Sequence, residues 1–409
     1  MYSLKNPETV VNKYSLQEIK KIHSQFLLYP NSSNSLLHCR DDFLDYFLAL
    51  LNNQEPVLPA ASTEQWISFL SILGPHSVLP LVYWQIKSLA LELHPPEEVT
   101  DFLRRIFLTT SAQYIKKEEQ LSKIIRAFNS EGIPLIVLKG LSFTQTLYPE
   151  PGLRPCSDID LLVEPEFMKK SYKVFESLGY QRLEQRFDLF REFHCEERFI
   201  HAQDKSKSLI DFHWGLHPFA SFKKDEKLED LSRRAVRVSI GSLNFYTLSS
   251  VDTLIQAAVH LALLHNRSIR LIWIYDIARL IERLNSVSDW RLLQKRSVEW
   301  GACIALENCL KMAHAWFGIN PPEELGDFSC WPKGKKSEQR SWYNCMNQHK
   351  SKIAKFKLYW PAYEGIFKKI RFLLRLIFPS PKVMRQRNTT FSKTPLFLSY
   401  FKRWLSWLT

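Results

Sequence analysis

The stretch that most constrains this chain is Ser157-Asp-Ile-Asp-Leu-Leu-Val163, where two acids interrupt an otherwise apolar, branched run. On a β-strand successive side chains alternate faces. Asp158 and Asp160 therefore share one face, while Ile159, Leu161 and Val163 share the other and can pack in a core. Two adjacent carboxylates repel each other unless something neutralises them. A divalent cation does so directly, and hard ions such as Mg²⁺ or Mn²⁺ take oxygen ligands, commonly one or two carboxylates plus substrate phosphates. A bare Asp-x-Asp is usually a solvated turn. The apolar run here sets it at the mouth of a buried strand.

The surrounding periodicity gives an α+β organisation. Apolar residues recur at three and four along Phe43-Leu44-Tyr46-Phe47-Leu50 and Trp66-Phe69-Leu70-Leu73, and Glu97 to Phe128 reads as one long helix. Residues 1–125 are thus expected to be helical. Past Gly132, the run Ile133–Leu138 reads as a short buried strand ending at Lys139-Gly140. A short helix from Leu141 to Leu147 and a turn-rich loop from Tyr148 to Pro155 lead into the acid strand. An amphipathic helix from Pro165 to Leu178, closed by Gly179, follows it. Phe193–His201 and Leu209–Trp214 look like an antiparallel hairpin with a loose polar turn. From Leu248 the chain is helical again, through Val251–Asn266, Leu271–Leu284 and Trp290–Phe317. The expected architecture is a small mixed sheet over 126–216, flanked by helical regions at 1–125 and 217–409. No internal repeat is present.

A third acid, Asp211, lies in Leu209-Ile-Asp-Phe-His-Trp214, where it shares a face with His213. If that strand lies beside the first, three carboxylates converge. Such a set can hold two ions about 3.5–4 Å apart and accept the proton of an attacking hydroxyl. Lys139-Gly140 forms a strand-to-helix turn whose backbone N–H groups can approach a phosphate, with Lys139 adding a positive charge. Ser142 and Arg154 are further candidates for phosphate contact; a helix cap and a surface arginine are their plainer readings. His213 either orders the acceptor or the third acid, or packs. His260 and His265, five apart, lack the spacing of helical zinc ligands and read as packing or cap residues. Asp276 and Arg279 read as an i, i+3 ion pair, with lining of the active site as the alternative.

Charge is distributed unevenly. Residues 331–409 carry 18 Lys/Arg against 2 acids, more than the whole net excess of +13. Segments such as Arg371-Phe-Leu-Leu-Arg375 and Phe401-Lys-Arg403-Trp404-Leu-Ser-Trp407 suit an anionic membrane surface or a nucleic acid, or a terminal helix with solvated charges. The 7 cysteines form no CxxC pair, so reduced thiols in a cytoplasm are expected and a structural zinc site is not. No secretory h-region and no long apolar span is visible.

Residues 133–163 resemble the uncharacterised nucleotidyltransferase family of the DNA-polymerase-beta-like superfamily. The text that carries the resemblance is Ile-Pro-Leu-Ile-Val-Leu-Lys139-Gly140, Leu147-Tyr148-Pro149, Gly152-Leu-Arg154-Pro155 and Asp158-Ile-Asp160-Leu-Leu-Val163. Looser matches are His76-Ser-Val-Leu-Pro80-Leu, Leu209–Trp214, Val259-His260-Leu-Ala, Leu271-Ile-Trp273, Asp276-Ile-Ala-Arg279 and Phe378-Pro-Ser-Pro381. The resemblance implies Asp158 and Asp160 as metal ligands and Asp211 as the third acid. Lys139, Gly140, Ser142, Arg154 and Ser157 would bind the nucleotide, an NTP such as ATP. The implied chemistry is transfer of a nucleoside monophosphate to an acceptor (small molecule, protein or RNA), releasing pyrophosphate. The superfamily's usual Gly-Ser or Gly-Gly pair departs here to Gly140-Leu141. Two other readings compete: an Asp-x-Asp glycosyltransferase, which needs a βαβ series where 1–125 reads helical, and an inactive binding module of the same fold. Cytoplasmic location is expected, with the tail a candidate for peripheral membrane contact.

Overall fold

A computed structural model describes residues 39–183, 195–203, 208–216, 228–240, 243–264, 269–326, 331–347 and 366–378, with 357, 360, 397, 398 and 400. Within the N-terminal part lie α1 (Asp41–Leu51), α2 (Thr63–Leu73), α3 (Leu79–Ile86) and the long α4 (Glu97–Ser130). Ser62 starts α2 with a reciprocal cap: its hydroxyl accepts from the Gln65 amide at 3.4 Å, and the Gln65 side chain accepts from the Ser62 amide at 2.9 Å. The 34 residues of α4 span about 51 Å at 1.5 Å per residue. Its buried positions, Val99, Leu103, Thr110, Tyr114, Lys117, Leu121, Ile124, Ile125 and Phe128, step by threes and fours along one stripe. Val99 and Leu103 join a core shared with the other helices, whereas Tyr114 to Phe128 join a second core beneath the sheet. One helix therefore ties both cores together.

The sheet has seven strands: β1 (Ile136–Val137), β2 (Asp158–Leu162), β3 (Tyr180–Arg182), β4 (Glu196–His201), β5 (Leu209–His213), β6 (Val236–Ile240) and β7 (Leu243–Thr247), in the order β3-β4-β5-β2-β1-β7-β6. It is mixed: β2–β5 and β1–β7 are parallel and the other pairs antiparallel. Strand β1 is shorter than its apolar run suggests. Pro134 has no N–H to give to a ladder, and the Leu138 amide bonds the Asp160 carbonyl at 3.0 Å as the chain turns away. The β4–β5 hairpin is antiparallel as expected.

Residues 217–409 are not wholly helical. The β6–β7 hairpin adds two strands there and joins the sheet through β1, so the sheet does not end at residue 216. Burial along β7 alternates as in a half-covered strand, with Phe245 buried and Asn244 and Tyr246 exposed.

Helices α5 (Lys139–Leu147) and α6 (Met168–Ser177) are inserted between strands, and α7 (Leu228–Arg234) precedes β6. After β7 come α8 (Ser250–Val259), a π-turn at His260–Leu264, α9 (Leu271–Ile281), α10 (Val287–Glu299), α11 (Cys303–Phe317), α12 (Lys336–Asn347) and α13 (Ile366–Ile377). The continuous helix expected over Trp290–Phe317 is two, because Gly301 takes a left-handed φ of 63° between them. Residues His265 and Asn266, and the Phe401–Trp407 segment, lie outside the described residues. Asp252, fully buried in α8, is held by Arg234 at 3.0 Å and Arg296 at 2.6 Å, which fastens α7 and α10 to α8.

The two faces of the sheet differ. Ile159, Leu161, Ile210, Phe199 and Phe212 pack with Phe128 of α4 and Phe175 of α6. Phe175 stacks on Phe199 at 4.5 Å and meets Phe212 edge-on at 5.2 Å. The opposite face bears the acids and looks toward α8 and α9. Among the described residues no helix is long and apolar enough to cross a membrane.

Candidate functional site

The parallel register of β2 on β5 sets Asp160 directly beside Asp211. The antiparallel register of β4 on β5 then sets Arg198 beside Asp211 and Glu196 beside His213. Partners across a ladder point to the same face. Asp158, Asp160, Asp211, His213, Glu196 and Arg198 consequently share it, with Asp160 and Asp211 buried and Asp158 half-buried toward the rim.

Lys139, the first residue of α5, places Nζ 3.2 Å from Asp160 Oδ1 and 3.0 Å from His260 Nε2. His260 accepts that bond, which leaves its Nε2 unprotonated. His213 Nε2 lies 3.1 Å from the same Asp160 oxygen, and its Nδ1 is 3.5 Å from Glu196 Oε2. His213 thus orders Asp160 rather than Asp211. Burial pushes the Asp160 carboxyl up, but Lys139 and His213 outweigh it and hold the group down to about 2. Asp211 goes the other way. Burial first, then repulsion from Asp160 and Asp158, pushes it up to about 6 against the relief from Arg198. Asp158 is raised for the same two reasons, burial and Asp160. Burial disfavours the charge on Lys139, yet Asp160, Asp158 and Asp211 together keep it raised. Asp211 Oδ1 is buried 3.1 Å from Arg198 Nε, but at an angle that makes no hydrogen bond, so its lone pairs are unmatched.

Gly140 permits this convergence. Its φ of 43° belongs to the left-handed region, and a Cβ there would meet Cys156 Sγ at 3.0 Å and Asp160 Oδ2 at 3.6 Å. The backbone can approach the acids only without a side chain. The Cys156 thiol donates to the Asp158 carbonyl at 2.8 Å and is pushed by burial up to about 12, so it stays protonated.

Three residues expected at the phosphates have other partners. Arg154 is buried and forks onto Asp276, Nε to Oδ1 at 2.9 Å and Nη2 to Oδ2 at 2.7 Å. Tyr148 donates to the same carboxylate at 2.6 Å. Asp276 therefore does not pair with Arg279, which bonds Glu282 at 2.6 Å instead. Ser142 is buried with its hydroxyl 2.6 Å from Thr247 Oγ1, joining α5 to β7. Ser157 is exposed at the rim beside Asp158, to which it hydrogen-bonds.

The acids form one wall of a cleft of about 380 Å³. The facing wall includes Ser77, Gln256, His260, Arg270 and Trp273, none of which periodicity assigns to a site. Ser77 has a positive φ of 61°, a conformation that in a non-glycine residue costs energy and tends to mark functional surfaces. The sequence signal for this wall is limited to the familial text around His76, His260 and Trp273.

The model of a family described as uncharacterised nucleotidyltransferase matches residues 62–318, more than half of the chain. The chain belongs to the uncharacterised nucleotidyltransferase family. Both walls of the cleft fall inside the matched region, whereas the basic tail falls outside it. No curated protein matches the chain. Among solved structures, it is similar to an antigenic nucleotidyltransferase-like protein from Paracoccidioides brasiliensis at 14% identity, covering 52% of this chain and 97% of that one. The TM-score is 0.28, a likeness too slight to carry any argument.

The donor set of this nucleotidyltransferase-family site suits a hard cation. Among the described residues no three His, Cys, Asp or Glu side chains close around a single point as they stand. Mg²⁺, however, commonly takes only one or two carboxylates from the protein and its remaining oxygens from water and substrate phosphates. Two carboxylates with raised proton affinity and the unmatched Asp211 oxygen are what an added positive charge would relieve.

Proposed function

We propose that the protein is an active nucleotidyltransferase that moves a nucleoside monophosphate from an NTP to an acceptor. The acceptor oxygen attacks the α-phosphorus, the bond to the β-phosphate breaks, and pyrophosphate leaves. Asp158 and Asp160 would hold Mg²⁺ or Mn²⁺, with Asp211 as the third ligand. When bound, the ion neutralises phosphate charge and orients the reacting oxygens. Asp211 also accepts the acceptor's proton, for which its place beside Asp160 on the acid face suits it. His213 and Lys139 hold Asp160 in place. Gly140 gives the chain a close turn against the acids. The observation that carries this reading is the register that puts Asp160 beside Asp211, with Asp158 on the same face. Among the described residues the chain before β1 is helical, without the βαβ series that a sugar-nucleotide glycosyltransferase would use there.

The test is label transfer and pyrophosphate release from each of the four radiolabelled NTPs with Mg²⁺ or Mn²⁺. Small molecules, RNA and cell extract serve as acceptors, and Asp158→Ala/Asp160→Ala is the control. Metal-dependent transfer that disappears in the double variant is expected, and the labelled product identifies both nucleotide and acceptor. Neither transfer nor metal-dependent NTP binding would overturn it in favour of an inactive binding module.

The tail contributes a peripheral contact. Along α13, Ile366, Phe367, Ile370, Leu374 and the adjoining Phe378 are exposed, and helical spacing puts them on one arc with Arg371 at its edge. An apolar arc bordered by basic residues fits an anionic lipid surface. Co-sedimentation with vesicles containing phosphatidylserine is expected, with none on phosphatidylcholine alone and a several-fold loss for Phe367→Asp/Leu374→Asp. Binding to RNA but not to vesicles would reassign the tail to nucleic acid.

A further inference from the structure

Of the cations lining the cleft, three are already engaged. Lys139 lies between Asp160 and His260, Arg154 is forked onto Asp276, and Arg198 sits against Asp211. Arg270 differs. It is exposed at the start of α9, lines the cleft, and has no carboxylate in ion-pair range among the described residues. Its guanidinium lies over the Trp273 ring, 5.2 Å from the centroid, an arrangement that fixes the plane of the group while its N–H fork has no partner among the described residues. A run of neighbours connects it to the acids: Asp160 to Lys139, Lys139 to His260, and His260 edge-on to Trp273 at 6.1 Å between centroids. A second polar group of the same cleft is also unengaged. Gln256 is 4% exposed and lines the cleft, with no hydrogen-bond partner for its amide among the described residues.

We propose that Arg270, oriented by Trp273, grips the terminal phosphates of the bound nucleoside triphosphate, in the role that sequence reasoning gives to Arg154. This inference rests on the transferase reading above. A planar guanidinium offers two parallel N–H donors to a phosphate, a fit that an ammonium cannot reproduce. The acids and Arg270 line the same cleft, so the α-phosphorus can lie at the carboxylates while the outer phosphates extend toward α9. The unengaged Gln256 amide then faces the remaining polar edge of the nucleotide.

Calorimetric titration with the α,β-methylene analogues of the four NTPs and the matching monophosphates, in Mg²⁺, separates the possibilities. Arg270→Ala is expected to weaken the preferred triphosphate analogue at least tenfold and to leave the monophosphate unchanged. Arg270→Lys should recover only part of the loss. Thermal melts check that both variants remain folded. Unchanged triphosphate affinity in Arg270→Ala overturns the proposal and leaves the transferase reading intact, as does an equal loss for monophosphate and triphosphate. Failure of the unaltered protein to bind any triphosphate analogue overturns the transferase reading itself, and this proposal with it.

Discussion

Asp160→Asn and Asp211→Asn are both expected to lower nucleotidyl transfer by about a thousandfold or more, as removal of groups that act as one unit does, while shifting the stability of the metal-free protein in opposite directions. In the folded protein Asp160 is held down to about 2 by Lys139 and His213, below the ordinary 3.9 of an unfolded chain. Its charge therefore stabilises the fold by about 3 kcal/mol above pH 4, and that contribution is lost as pH falls through 4 toward 2. Asn in its place leaves Lys139 with less compensation. Asp211 is raised to about 6, so the unfolded chain loses this proton first. Stability then falls as pH rises from about 4 to about 6, and by pH 8 the charged, crowded carboxylate costs about 3 kcal/mol. Asp211→Asn removes that cost; the ion pair it gives up, with the half-exposed Arg198, is worth little. Urea denaturation in EDTA between pH 4 and 8 reads both effects, and subtracting the Asp211→Asn curve from wild type isolates the Asp211 contribution. Saturating Mg²⁺ should flatten the wild-type decline above pH 4. A decline of the same size with and without Mg²⁺ would show that no cation sits at these acids.

Much of the acid wall is legible in the sequence because strand alternation is a local rule. Asp158 and Asp160 share a face whatever else the chain does, and Asp211 and His213 repeat the pattern. The pairing of the two strands in parallel, which brings Asp160 to Asp211, depends on α6 and β3–β4 folding back between them. The familial likeness, not the spacing, points to it. The β6–β7 hairpin has a weaker local signal. Two alternating runs, Val236–Ile240 and Leu243–Thr247, flank Gly241-Ser242, a two-residue connection of the sort that hairpins use; Arg237, Ser239 and Asn244 dilute its hydrophobic pattern. The facing wall is the least legible. Gln256, His260, Arg270 and Trp273 occur on ordinary amphipathic helices, and their convergence is created by how α8 and α9 dock on the sheet. Ion pairs with large sequence separation, such as Lys139–Asp160 and Arg154–Asp276, have no local pattern at all.

Arg154→Ala is expected to destabilise the protein by about 3–5 kcal/mol, the cost of leaving one member of a buried ion pair alone, with no selective effect on triphosphate binding. Arg154 and Asp276 are both almost fully buried, and the guanidinium is the only cation in ion-pair range of that carboxylate among the described residues. Tyr148 supplies a single hydrogen bond; burial and the negative charge of Asp276 keep its phenol protonated and able to donate. Without Arg154, Asp276 must either keep an uncompensated charge or take up a proton, and the 148–155 loop loses its tie to α9. Arg154→Lys should lie between, since an ammonium keeps the charge but not the two-pronged geometry. Replacing both partners, Arg154→Met with Asp276→Leu, should recover most of the lost stability, because apolar residues of similar volume remove the desolvation penalty together with the attraction. Denaturant midpoints of the four proteins, read beside their triphosphate affinities, test this. A large loss of affinity in the stable double variant would return Arg154 to the phosphates and displace Arg270 from that role. Recovered stability with near-normal affinity would show that the pair is a structural tie between the 148–155 loop and α9 that takes no part in triphosphate binding.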